Sequence, residues 1–258
     1  MQGHARIVAE AGSGGTTRLT RLFAIGTVSV RPLPAPTGSA RVHLVGRAAG
    51  PLGGDRAYVE VEVGPGARLA VTSAAAAVAL AGVDGAWSAM QAHARIAAGG
   101  VLCWCPEPLL LTARAAHRSV TQVTGDDGGS MVWWQELVLG RTGEAPGSLV
   151  SRLAVDYAGV PLVRHELRVG PEWPGWDSHA ALGPYRIHIM VCAAGAAPCW
   201  RDGSAPALSD TAAALACEGP GLLVTAAGDD LAAVRGLATT GLTAAGVSAG
   251  HCPPGRGP

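Results

Sequence analysis

The chain has 258 residues, of which 48% are hydrophobic, 4% aromatic and 15% charged, and its formal net charge is +0. Charge this sparse and balanced, against roughly 25% in an ordinary soluble domain, excludes a general basic field for nucleic acid or anionic lipid. It also points to a core of aliphatic side chains and to a protein poorly soluble alone, one that lives in a complex. All nineteen basic residues are Arg, with no Lys and no Asn, which is the mark of GC-rich coding and not of phosphate recognition.

In chain order, the N-terminal "MQGHARIVAEAGSGG" lacks the apolar core of a targeting segment. "RVHLVG" (41–46) alternates as a strand. "GPLGGD" (50–55) lacks the Lys-Ser/Thr ending of a phosphate loop and precedes a strand, so it reads as a tight turn closed by Asp55, a candidate functional carboxylate. In "RAYVEVEVGPGARLAVT", Tyr58, Glu60 and Glu62 alternate with Val59, Val61 and Val63, then a Gly-Pro-Gly turn leads to a second strand through Leu69 and Val71. Residues Ala74–Ala81 fit helix or strand. The uncharged apolar run Leu69–Val83 is shorter than the ~20 residues of a spanning helix. A soluble cytoplasmic protein with six cysteine thiols is therefore expected, without membrane or nucleic-acid partners.

"GGVLCWCPEPLLL" (99–111) places Cys103 and Cys105 on one face of a strand and Leu102 and Trp104 on the other. Two sulfurs on one face are either a soft metal-ligand pair or small apolar fillers; no CxxC or zinc-type spacing completes a site. In "WWQELVLGRTGE" (133–144), Trp133 and Trp134 must point to opposite faces, one to the core and one open to a partner. Glu136 in this apolar strand needs a cation, and Arg141 is the nearest candidate. "RLAVDYAGVPLVRHELRVG" reads as two strands around a turn at Ala158-Gly159. "GARLAVT", "GGVLCWC" and "GGSMVWW" share a glycine turn followed by an alternating strand, at starts 66, 99 and 128. Recurrence at about thirty residues suggests stacked coils. Helix signals come late: "SDTAAALACEG", with Ser209 or Asp210 as cap, and "GDDLAAVRGLATTGL", with Leu231, Val234 and Leu237 at helical spacing. The tail "GHCPPGRGP" reads as disordered. No G-x-S-x-G, H-x-x-H or H-E-x-x-H occurs, so nothing supports an enzyme mechanism. The expected fold is all-β: a layered, β-helix-like stack of short strands in one domain over residues 1–250, with a few helices, mainly C-terminal.

The order of these motifs resembles the urease accessory protein D family (UreD/UreH). "HLVGRAAGPLGGDRAYVEVEV", "GPGARLAVTS", "GGVLCWCPEPLLL", "GGSMVWWQELVLGRTGE" and "YAGVPLVRHEL" follow in the family's order over roughly residues 18–170. Two departures stand out: Cys103 replaces a usual acid, and "TSAAAAVALAG" replaces a usually polar segment.

The resemblance implies a non-enzymatic maturation scaffold. Such a protein binds apo-urease and the accessory proteins F and G, the latter a GTPase, and conducts nickel through an internal passage. It holds no permanent cofactor, only nickel ion in transit. On that reading Asp55, Cys103, Cys105, Glu136 and Glu144 are candidate stations of the passage, since transfer needs successive weak sites and not a closed cage. The other classes open to the sequence are a β-rich interaction module unrelated to urease and a β-solenoid carbohydrate-active enzyme. The latter would cluster carboxylates on one face, and here they are isolated.

Overall fold

A computed structural model describes residues 1–195 and 208–247. The chain opens with β1 (Gln2–Ala11), β2 (Thr17–Gly26), β3 (Val28–Leu33), β4 (Ala40–Gly46), β5 (Arg56–Val63), β6 (Arg68–Ser73) and the short β7 (Ala77–Ala79). It continues through β8 (Ser88–Ile96), β9 (Val101–Cys105), the short β10 (Leu109–Leu111), β11 (Ala116–Gly125) and β12 (Ser130–Leu139). Then come β13 (Ser148–Tyr157), β14 (Val160–Val169), β15 (Ile187–Ala194), β16 (Ala212–Ala216), β17 (Gly221–Gly228) and the α-helix α1 (Leu231–Ala244).

Two sheets face each other. One runs β14-β13-β11-β8-β5-β1-β2; the other runs β16-β17-β15-β12-β9-β6-β4-β3, with β10 and β7 attached beside β12. From β4 to β13 the long strands alternate between the sheets, and each pairs in parallel with the strand one coil away. The result is a solenoid-like stack of about four turns. Antiparallel pairs close both ends, β1/β2 and β3/β4 at one and β13/β14 and β15/β17 at the other.

The glycine repeat marks the coil corners. Gly66, Gly99 and Gly128 have φ of 70°, 71° and 79°, left-handed values that a side chain would strain. They sit one above another: the Gly99 N–H donates to the Gly128 carbonyl at 3.0 Å, and a methyl on Gly99 would lie 3.5 Å from the Gly66 nitrogen.

Alternation along each strand fills the space between the sheets. Ile7, Val59, Val61, Ala92, Val123, Leu153 and Val155 from one sheet meet Val42, Leu69, Val71, Leu102, Trp104 and Trp133 from the other. Trp104 and Trp133 are register partners on β9 and β12, and their rings stack at 4.3 Å and 4°. Burying an aliphatic side chain such as these valines and leucines contributes about 1.5–3 kcal/mol, so the coils cohere mainly through apolar side chains.

The expected half-buried strands occur at β4, β5, β6, β13 and β14, and the turn at Ala158-Gly159 takes φ of 50° and 81°. The late helix also occurs, with Asp230 as its N-cap accepting from the Ala233 N–H at 2.7 Å. The segment Ser209–Gly219 differs from its helix expectation. It forms β16, antiparallel to β17, because a ladder to an existing sheet edge outweighs the weak preference of a short Ala run. Ser209 does cap locally, but a turn: its hydroxyl accepts from the Thr211 N–H at 3.2 Å. The Ala74–Ala81 ambiguity resolves as β7. The tail from 251 onward lies outside the described residues.

Candidate functional site

Side chains that point away from the partner sheet on β9, β12, β15 and β17 form a second apolar face, and α1 covers it. Cys103, Cys105, Trp134, Ile189, Val191, Leu222 and Val224 meet Val234, Ala238 and Leu242 of the helix. Both tryptophans are therefore buried, at 2% exposure for Trp133 and 0% for Trp134. The sequence expectation that one of them faces a partner is corrected: the helix supplies the apolar surface that a partner was to supply.

Within this layer lies a charged cluster. Glu136 is buried at 2% exposure. The Trp134 indole N–H donates to Glu136 Oε1 at 2.7 Å. Arg235 of α1 holds the same carboxylate with two donors, Nε to Oε1 at 2.8 Å and Nη2 to Oε2 at 2.7 Å, and its Nη2 also reaches Glu107 Oε2 at 3.1 Å. A bidentate pair of this geometry is the arrangement that repays removal of both charges from water. These bonds raise the Arg235 pKa above its ordinary value. Burial, and then the nearby Glu136 charge, push the Cys105 thiol up.

The partner expected for Glu136 was Arg141, and this too is corrected. Arg141 lies past the end of β12, in the loop where its backbone N–H donates to Glu144 Oε2 at 2.9 Å. That bond, ahead of the charge of Arg141, holds the Glu144 carboxyl below its usual range.

Of the five residues singled out from sequence, three fall in one layer of the structure. Cys103 and Cys105 belong to the apolar layer that α1 helps to cover, and Glu136 is held there by Arg235 of α1. Glu144 sits in the loop after β12. Asp55 sits at the turn before β5, as read: its backbone N–H donates to the Leu52 carbonyl at 2.8 Å, and its Oδ2 accepts from the Leu52 N–H at 3.1 Å. Asp55 also pairs with the Met1 ammonium. Gly53 in this turn touches the backbone of Gly82, where a methyl would come within 2.4 Å of the Gly82 Cα, so the glycines serve close packing and not a phosphate.

Cys103 is disulfide-bonded, which departs from the six thiols expected and leaves it no thiolate to offer; Cys105, Cys192 and Cys217 carry thiols. Among the described residues no three His, Cys, Asp or Glu side chains gather closely enough to hold one metal ion. No helix among them is long and apolar enough to cross a membrane.

Sequence reading missed Glu107 and Arg235. Glu107 stands between two prolines, and Arg235 is the lone charge in an Ala-rich helix. Only the stacking of α1 on the sheet joins positions 99 and 128 residues apart. Also unforeseen is a polar layer inside the sandwich. Gln135 Nε2 donates to Ser151 Oγ at 2.8 Å, and the Ser88 hydroxyl lies 2.9 Å from His117 Nδ1. His188 faces His165 closely enough to feel its charge, and burial, with that charge second, lowers the His188 pKa to about 4.

The class these features define is a β-solenoid sandwich whose capping helix is fastened over a sulfur and carboxylate cluster, with no gathered catalytic set among the described residues. Comparison then fixes the family. Residues 1–254 match the family model described as UreD urease accessory protein. The chain is 42% identical over 183 residues to the urease accessory protein UreD of Streptomyces avermitilis, covering 70% of this chain and 73% of that protein. It is 38% identical over 239 residues to UreD 3 of Streptomyces griseus subsp. griseus, covering 90% and 92%. It is 35% identical over 259 residues to UreD of a Parafrankia species, covering 91% and 86%. The chain belongs to the UreD urease accessory protein family.

Proposed function

We propose that this protein is a cytoplasmic urease maturation scaffold that engages apo-urease and accessory proteins F and G and helps to hand Ni²⁺ to the urease active site. The observation that carries the reading is the family match over residues 1–254. The geometry supports it with two carboxylates, Glu107 and Glu136, that share Arg235 of α1, and with the Cys105 thiol near enough to Glu136 to feel its charge.

In this arrangement Arg235 occupies both carboxylates. Ni²⁺ entering the cluster competes with the guanidinium, so the cluster serves as a weak station that accepts and releases, as transfer requires. Asp55 and Glu144 are further oxygen stations on the same proposal, and Cys103 joins only when reduced. The test is complementation of a strain that expresses urease and its other accessory genes but lacks this one. The triple variant C105S/E107Q/E136Q should lower the nickel content of purified urease several-fold while still co-purifying with its partners. Unchanged nickel content would remove the cluster from the path.

A further inference from the structure

The charge of this chain is neutral in total but not in distribution. Residues 11–54 contain five arginines (Arg18, Arg21, Arg31, Arg41 and Arg47) and no Asp or Glu. This segment builds β2, β3 and β4, the edge of the stack at which both sheets end. Among the described residues none of these five arginines makes an ion pair. The opposite edge of the first sheet is different. There Arg152 and Arg168 both hold Glu166, and Arg164 holds Asp156, so every arginine of β13 and β14 has an acidic partner.

The cationic edge is also apolar. β2 is ten residues long and pairs, among the described residues, only with β1. Leu22, Phe23 and Ile25 are exposed at 37%, 43% and 53%, and Phe23 is the sole phenylalanine of the chain. Arg21, Phe23 and Ile25 lie opposite Val8, Arg6 and His4 and so share the outer face, where the Phe23 ring meets His4 edge-on at 5.7 Å. An exposed edge strand that presents unpaired backbone groups and alternate side chains is a template for strand addition.

We infer that β2 is a docking edge for an extended, acidic segment of a partner protein, which adds as a strand with carboxylates on Arg18 and Arg21 and apolar side chains on Phe23 and Ile25. A second copy of this chain does not fit, because pairing β2 with itself would bring four arginines together with only the Glu10 of each copy, register partner of Arg18 on β1, to offset them. This inference rests on the scaffold reading only in requiring that a protein partner exists.

The test uses the full chain on a soluble fusion partner. The probe is a capped, fluorescein-labelled peptide of roughly ten residues, the length of β2, Glu-rich in the half that would face Arg18 and Arg21 and Val-rich in the half that would face Phe23 and Ile25; the same peptide with Lys for Glu is the control. The acidic peptide should bind, weaken with salt, and slow amide exchange across β2 but not β14. Variant R18E/R21E should weaken binding at least about tenfold, and F23T/I25T should weaken it without changing its salt dependence. R18Q/R21Q and thermal melts separate loss of the edge from loss of the fold. Failure of the acidic peptide to bind, equal binding by R18E/R21E, equal binding of the Lys peptide, or competition by phosphatidylserine vesicles would each overturn the inference. Co-purification with urease and the other accessory proteins separates the two readings. If wild type recovers no partner, the scaffold reading fails while the peptide result stands. If wild type and R18E/R21E recover partners equally, the edge inference fails and the scaffold reading stands.

Discussion

Replacing Arg235 by Met should destabilise the protein far more than its position on a helix surface implies. The guanidinium neutralises Glu136, whose side chain is 0% exposed, while Arg235 itself keeps 21% exposure and a second partner in Glu107. Without Arg235 the Glu136 carboxylate keeps the Trp134 indole as a donor but loses its countercharge in a site closed to water. Removing one member of a buried pair costs about 3–5 kcal/mol. Partial access of water to Arg235 favours the lower end, and ~3 kcal/mol corresponds to a fall in Tm of roughly 6–12 °C for a chain of this size. Glu136→Gln is the milder change, about 1–2 kcal/mol, because Arg235 retains Glu107 and Gln still accepts from Trp134. The sharper expectation is one of sign: E136Q should rescue R235M, since the double variant buries no charge. Urea and thermal denaturation of the four proteins supply the cycle. A cost of R235M under about 1 kcal/mol, or an E136Q that makes R235M worse, would refute the buried-pair account.

Other expectations follow from the same structure. His117 and His188 have their pKa lowered from 6.5 to about 4, chiefly by burial. The unfolded chain therefore binds protons between these values and the folded chain does not, so stability present above pH 6.5 is lost as pH falls toward 4, by up to roughly 3 kcal/mol per histidine. Tm measured against pH should show this slope, and H117Q should flatten it; a flat profile in the parent protein would contradict it. Alkylation of the native protein should modify half-exposed Cys217 before Cys105 and Cys192, whose thiols burial pushes up; peptide mapping reads the order, and faster labelling of Cys105 would show that α1 does not seal its face. Gly53→Ala should lower Tm by several degrees, because the added methyl meets the Gly82 backbone at 2.4 Å; a neutral result would mean that the turn before β5 yields freely.

The strands were legible because they carry period-two alternation on one side of a continuous core, as in β5 and β13. The coil period was legible because Gly66, Gly99 and Gly128 recur where the backbone needs left-handed φ. What stayed hidden depends on contacts between elements far apart in sequence. Nothing near Glu136 announces Arg235, and the local candidate Arg141 fails because β12 ends before it. Nor does the pair Trp133-Trp134 reveal that α1 covers the second ring. The failed helix at residues 209–219 has the same cause, a sheet edge that accepts the segment as β16. For the candidate site, sequence placed Cys103 and Cys105 on one face of a strand and Glu136 within another strand, but neither Glu107 nor the disulfide on Cys103 followed from local pattern.

The central claim, that this member of the UreD family acts in urease maturation, is tested most directly by the nickel content of urease purified from cells with and without this gene, all other urease genes being present. The account predicts nickel-poor, inactive urease without it and restored nickel on complementation. Equal nickel occupancy in both would contradict it.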